Sequence, residues 1–130
     1  MSLNSLACYQ AGEDIIIEVA TENEVLDYAP ELEKIARIET RGVILTGPSK
    51  NSERDFVSRF FAPRAGINED PVTGSAHCSL AVLWSKKLGK SSLGAEQLSR
   101  RRGTIELGVY PDHISLIGEA ITFAKGTMNV

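Results

Sequence analysis

Cysteine is scarce in this sequence, and neither of the two residues present is placed for chemistry. Cys8 and Cys78 lie far apart, outside any CxxC pair or metal-ligand spacing. No zinc or other metal centre is expected, and two separate reduced thiols fit a cytoplasmic protein. Long apolar runs are also missing. None approaches the roughly 20 residues that span a bilayer, and no signal-peptide pattern is present, so no membrane partner is expected. Positive charge is in deficit, with 14 Lys and Arg against 17 Asp and Glu. A nucleic-acid partner needs a basic face, and the one basic run, Arg100-Arg101-Arg102, is too short to make one. Internal repeats and low-complexity tracts are absent as well.

What is present has the balance of an ordinary soluble domain. The chain has 130 residues, 42% apolar and 24% charged. That length suits a single domain, able to bury about two thirds of its unfolded surface without metal or disulfide. The domain is expected over 4–130. Met1-Ser2-Leu3 reads as a short expression remnant without structural weight.

Asp14 to Val19, with three isoleucines and a valine, reads as a strand, and Leu6 to Gln10 as its hairpin partner across Ala11-Gly12-Glu13. Thr21 to Tyr28 shows little periodicity and reads as a loop. Pro30 to Ala36 reads as a short helix, with proline at the first position and acids at its positive end. Val43 to Thr46 is a strand, Gly47 to Ser52 an exposed loop, and Asp55 to Pro63 a longer strand. Along that strand Phe56, Ser58 and Phe60 share one face and Val57, Arg59 and Phe61 the other. Arg59 has a structural ion pair as its default role.

The strongest helical pattern runs from about Ser75 to Leu88. Ala76, Leu80, Leu83, Trp84 and Leu88 recur at three- and four-residue spacing, and Ala81 and Val82 widen the stripe, which predicts a helix buried on most sides. Lys86, Lys87 and Gly89 suit its C-terminus. Ser91 to Gln97 is ambiguous. Thr104 to Tyr110 alternates as a strand, Pro111 to His113 is a turn, and Ile114–Ile117 and Ala120–Ala124 are two short strands broken by Gly118-Glu119. Seven or so short strands need an apolar object to cover, and the 75–88 helix supplies it. The expected architecture is α+β, a curved, mostly antiparallel sheet or barrel wrapped around that helix.

The run before the helix, Ile67-Asn68-Glu69-Asp70-Pro71-Val72-Thr73-Gly74-Ser75-Ala76-His77, places acids, turn formers and small residues at a helix start. First-turn amides have no intrahelical partner and, with the helix dipole, favour an anion. Gly74 permits close backbone approach. Thr73 or Ser75 can cap the helix or offer a hydroxyl to a carboxylate. Asp70, held out of the helix by Pro71, can act on a proton of a bound molecule. The ordinary alternative is that these residues are simply caps. For His77 a structural or solvent-facing role competes with a ligand role, and Cys78 reads as a small buried hydrophobe.

Arg59-Phe60-Phe61-Ala62-Pro63, Gly66-Ile67, the Glu69-to-His77 run, Trp84 and Leu88-Gly89 together resemble the phenazine biosynthesis PhzF-like family. Gln97-x-Ser99-x-Arg101, Gly118-x-Ala120 and Gly126-Thr127 extend the resemblance over nearly the whole chain. It implies a diaminopimelate epimerase-like fold of two related domains, of which this chain resembles the C-terminal one. It implies cofactor-independent isomerisation or epimerisation, moving a proton between carbons of a small carboxylic acid in the interdomain cleft. By motif match, Asp70 and Ser75 fall on catalytic positions, and Thr73, Gly74, Ala76 and His77 on substrate-binding ones. The family's general-base glutamate and its assisting histidine belong to the N-terminal domain, and no segment here matches them. Its Arg-Gly-Gly run reads Arg101-Arg102-Gly103, one glycine replaced where local backbone shape is at stake. The expected partners are a small carboxylate and either the missing N-terminal half or a homodimer partner. The competing expectation is a non-catalytic, self-associating module that keeps the fold.

Overall fold

The computed structural model describes residues 4–129, so the reading of Met1-Ser2-Leu3 lies outside the described residues. Its strands are β1 (Ala7–Ala11), β2 (Asp14–Glu18), β3 (Gly42–Pro48), β4 (Phe56–Ala62), β5 (Ile67–Asp70), β6 (Ser92–Gln97), β7 (Gly103–Val109) and β8 (Ile114–Ile117). They form one sheet in the order β1-β2-β3-β4-β6-β7-β8, with β5 also on β4. Only β2/β3 and β4/β6 pair in parallel; the other pairings are antiparallel. β4 is the hub. One of its edges carries β3, while β6 takes Phe56–Ser58 and β5 takes Phe60 and Ala62 on the other. The helix α3 (Gly74–Leu88) bridges from β5 to β6, which fixes its N-terminus at the end of β5.

Alternation on β4 divides the core into two layers, as the sequence predicts. Phe56 and Phe60 join Ile16, Ile44, Leu93, Ile105 and Leu107 around Ala76, Leu80, Ala81 and Trp84 of α3. Val57 and Phe61 face Val19, Val25, Ile35, Val43 and Leu45 on the opposite side. Residues of β2 and of β7 thus reach the same helix, so the sheet curves round it. Trp84 is core, as its spacing implies, and its indole N–H donates to Thr46 Oγ1 at 3.0 Å. Gly89 ends the helix with φ +65°, in the left-handed region. The outer side of α3 is less covered than expected, with Val82 and Leu88 exposed. The helix packs against β6, β7 and β8 on its inner side.

Several local readings are corrected. Residues 21–28 contain a helix, α1 (Glu22–Leu26). Its signal is Thr21-x-x-Glu24: Thr21 Oγ1 accepts from the Glu24 amide at 3.3 Å and donates to its carboxylate at 2.8 Å. One buried residue, Val25, gives too little apolar pattern for periodicity to reveal. α2 is only Leu32–Ile35, with Pro30 and Glu31 ahead of it. β3 continues through Gly47 and Pro48 because it passes beneath α1. A Cβ on Gly47 would lie 3.1 Å from Thr21 O and 3.2 Å from Val25 Cγ2. The ambiguous segment 91–97 holds β6 (Ser92–Gln97). Residues 120–124 form no strand.

Candidate functional site

The turn between β5 and α3 is pinned from behind by the end of β6. Gln97 is fully buried. Its amide nitrogen donates to Asp70 O at 2.7 Å and Thr73 Oγ1 at 3.2 Å, and its carbonyl accepts from the Thr73 amide at 2.7 Å. Ser99 Oγ donates to Pro71 O at 2.7 Å. The Gln97-x-Ser99 pattern therefore shapes the corner.

Thr73 Oγ1 donates to Asp70 Oδ2 at 2.5 Å. The hydroxyl is thereby turned away from the helix, and Thr73, at the N-cap position, makes no side-chain capping bond. The first-turn amides at Gly74, Ser75 and Ala76 keep the unsatisfied donor capacity of a helix start. Gly74 and Ser75 are exposed, and Asp70 and Thr73 are half-buried. The Ala76 side chain is buried, leaving only its backbone for any ligand.

Ser75 Oγ accepts from Arg41 Nη2 at 3.1 Å. Arg41 is held by the buried Asp14, with Nε donating to Oδ1 at 2.9 Å and Nη2 to Oδ2. Its guanidinium also lies 5.6 Å from the Phe60 ring centre. Hydrogen bonding to Asp14 pushes the Arg41 pKa up, so the cation is permanent. Because Ser75 Oγ accepts from Arg41, its own hydroxyl proton is free to donate outward. Two open hollows lie nearby. One, of about 520 Å³, is lined by Glu13, Glu39, Arg41 and Arg64 and reaches the tip only through Arg41. The other, of about 460 Å³, contains Gly74, Arg101, Gly103 and Leu116. Arg41 and Asp14 escape a sequence reading because they lie 34 and 61 residues from Ser75, and only sheet pairing brings them together.

His77 lies behind the corner, not in it. It is fully buried, with its ring near-parallel to Phe56 at 6.1 Å. Nδ1 is 2.7 Å from Thr73 O, which can only accept, so Nδ1 carries the proton and Nε2 accepts from Ser58 Oγ at 3.3 Å. Both ring nitrogens are engaged within the core, which makes His77 a support for the turn. Burial pushes its pKa below the ordinary 6.5, against a smaller opposing effect of the Thr73 bond. Above 6.5 both folded and unfolded states are neutral there and the full stability is present. Below it the unfolded chain takes a proton that the folded chain refuses, so stability falls as pH drops toward the folded pKa. Urea midpoints are expected to decline over that window in the native chain and to flatten in His77→Gln.

The remaining candidates are structural. Arg59 binds Glu69 through two bonds of 2.7 and 3.1 Å and donates to the carbonyls of Val25, Leu26 and Tyr28. It ties β4, β5 and the end of α1 together, as its default role implies. Cys8 and Cys78 are free thiols, exposed and half-buried. Among the described residues no cluster of His, Cys, Asp and Glu is placed to hold a metal, and no helix is long and apolar enough to cross a membrane. Arg102, in the turn between β6 and β7, has φ +59°. A glycine is at ease there and an arginine is not. Arg102→Gly is expected to raise stability by about 0.5–1 kcal/mol, read as a higher urea midpoint. The exposed Arg102–Glu96 contact at 3.1 Å offsets little of this.

Comparison with known proteins gives a consistent result. The family model described as phenazine biosynthesis-like protein, PhzC-PhzF, matches residues 4–126. A protein of Halalkalibacterium halodurans named as an uncharacterized isomerase is 40% identical over 115 residues, covering 88% of this chain and 43% of that protein. The crystal structure of a PhzF-family protein from Enterococcus faecalis superposes with a TM-score of 0.88 at 35% identity, covering 95% of this chain and 47% of the other. A PhzC/PhzF structure from Clostridium difficile gives 0.84 at 40% identity, with the same coverages. The chain spans about half the length of these relatives.

Proposed function

This chain belongs to the phenazine biosynthesis-like PhzC-PhzF family, and from that premise we propose that it forms one wall of an isomerase site. The site moves a proton between carbons of a small carboxylic acid without a cofactor. The observation that carries this reading is the tip of α3, with uncapped amides and a Ser75 hydroxyl oriented by Arg41, set beside Asp70. A carboxylate on the tip is held by the Gly74–Ala76 amides and Ser75 Oγ. These donors also stabilise negative charge that develops on the carboxylate when a neighbouring C–H is deprotonated. Asp70, oriented by Thr73, accepts or returns a proton on this side. Arg41 and Arg101 offset its repulsion of an anion.

The principal base comes from outside the chain, in the other half of the family fold. A positioned base or acid is worth about 10²–10⁴ in rate, so the chain alone is expected to exchange substrate protons at background. The test pairs this chain with the N-terminal half of the Enterococcus faecalis relative and measures deuterium uptake from solvent into a panel of small carboxylic acids. Uptake by the pair alone supports the reading. No uptake, with both parts folded and associated, contradicts it. The second reading, a self-associating module without catalysis, is favoured by one feature: the exposed apolar segment after β8.

A further inference from the structure

Two arginines of the Arg100-Arg101-Arg102 run carry uncompensated charge beside the Asp70 corner. Arg102 pairs with Glu96 at 3.1 Å. Arg100 and Arg101 are exposed, and among the described residues neither enters an ion pair. The turn that carries them is seated on the corner itself. Ser99 Oγ donates to Pro71 O at 2.7 Å and accepts from the Arg102 amide at 3.1 Å, and the same amide donates to Ser99 O at 3.1 Å. Gly103 lies flat on Val72, since a Cβ there would be 2.3 Å from Val72 Cγ2. The backbone of Arg101, between these fixed points, is thus held against the turn that presents Asp70 and Gly74.

Arg101 borders two hollows. One, of about 570 Å³, is lined also by Glu69 and Arg100. The other is the hollow of about 460 Å³ that contains Gly74. Its walls combine the apolar side chains of Val72, Ile105 and Leu116 with Arg101 and Arg102, and among the described residues they hold one acid, Glu119. Leu116 lies 3.5 Å from where a Cβ on Gly74 would be, so the hollow adjoins the tip of α3. A molecule seated on that tip by one carboxylate places the rest of itself here. A single anchor on an exposed tip leaves a small molecule free to swivel, and proton transfer needs the reacting carbon held in line with its base. A second anchor fixes the direction. The guanidinium of an arginine offers a planar pair of donors that matches a carboxylate.

On the carboxylate seat proposed above, on which this step rests, we propose that the substrate is a dicarboxylic acid. One acid sits on the Gly74–Ala76 amides and Ser75. The carbon chain lies over Val72 and Leu116. Arg101 takes the second acid, and it is the residue that distinguishes a diacid from a monoacid. Glu119 opposes further negative charge in the same hollow, which favours a carboxylate over a phosphate as the second group. Arg101 acts through binding alone and moves no proton.

The test is an NMR titration of the full chain at neutral pH, read at the amides of Gly74, Ser75 and Ala76, with acetate, succinate and monomethyl succinate. The monomethyl ester resembles succinate in its carbon chain and lacks one charge. Succinate is expected to bind about 5–10-fold more tightly than the ester. In Arg101→Met that ratio is expected to fall to about two, the statistical advantage of two equivalent acids, while acetate affinity changes by less than about twofold. Arg100→Met removes the same charge from outside this hollow and is expected to leave the ratio intact. Both arginines are exposed, so both variants are expected to keep the native circular-dichroism spectrum. A ratio near two in the native chain, a ratio that survives Arg101→Met, or an equal fall in Arg100→Met overturns the diacid assignment and leaves the seat for a single carboxylate in place. No shift at the three amides with any of these acids overturns the seat and the diacid assignment together.

Discussion

Phe56→Ala is expected to remove about 3–5 kcal/mol of folding stability, more than any other single truncation of β4. Phe56 is fully buried at the centre of the helix-side layer. Its ring stacks on Trp84 with centroids 5.5 Å apart and planes within 3°, and it also lies against His77. The residue sits where β3, β4 and β6 meet, so the cavity opens under all three strands and cannot collapse from one side. Small domains hold about 5–15 kcal/mol in total, so the variant is left near the edge of folding. Trp84 is the only tryptophan, and its fluorescence in urea reads the loss directly. A midpoint within error of the native chain would mean that the Phe56–Trp84 stack is not the keystone of this layer.

Asp70→Asn carries the largest functional effect. In this chain paired with the N-terminal half of the Enterococcus faecalis relative, the proposed role of Asp70 predicts a fall in proton transfer of about 10²–10⁴-fold, measured as deuterium uptake at saturating substrate. Stability is expected to change by no more than about 0.5 kcal/mol, because the amide oxygen still accepts from Thr73 Oγ1 and the main chain at Asp70 stays fixed by Gln97. This combination of lost rate and retained stability separates a chemical role from a structural one. Gln97→Leu provides the contrast: it removes all three bonds that hold Thr73 and Asp70, so rate and stability are expected to fall together.

Most of the fold is legible in the sequence wherever apolar residues repeat at one period. The α3 pattern, the two faces of β4 and the Ile105–Val109 alternation all survive in the structure because each is anchored by several buried side chains. α1 escapes because five residues with one buried anchor carry no period, and only the Thr21-x-x-Glu24 signature marks it. The strand expected at 120–124 does not form, since composition alone supplies no partner edge for it.

The candidate corner divides in the same way. Asp70, Thr73, Gly74 and Ser75 are contiguous, so a motif reveals them together. The structure adds which group each faces: Thr73 turns to Asp70, and His77 turns into the core. Arg41, Asp14 and Gln97 come from distant strands and are visible only once the sheet is assembled. His77 shows the limit of motif reasoning, because sequence adjacency to the tip does not place a side chain in the cleft. His77 is two positions past Ser75, about 200° round the helix, so it faces away from the Ser75 side.

An amide-resolved NMR titration with acetate tests most directly whether the tip of α3 is an open carboxylate seat. The prediction is that the amide signals of Gly74, Ser75 and Ala76 shift together on one binding curve. Acetamide should not move them, Arg41→Met should weaken the curve, and the Thr21-capped start of α1 should stay still. Equal shifts at both helix starts, or none at Gly74–Ala76, would contradict the claim.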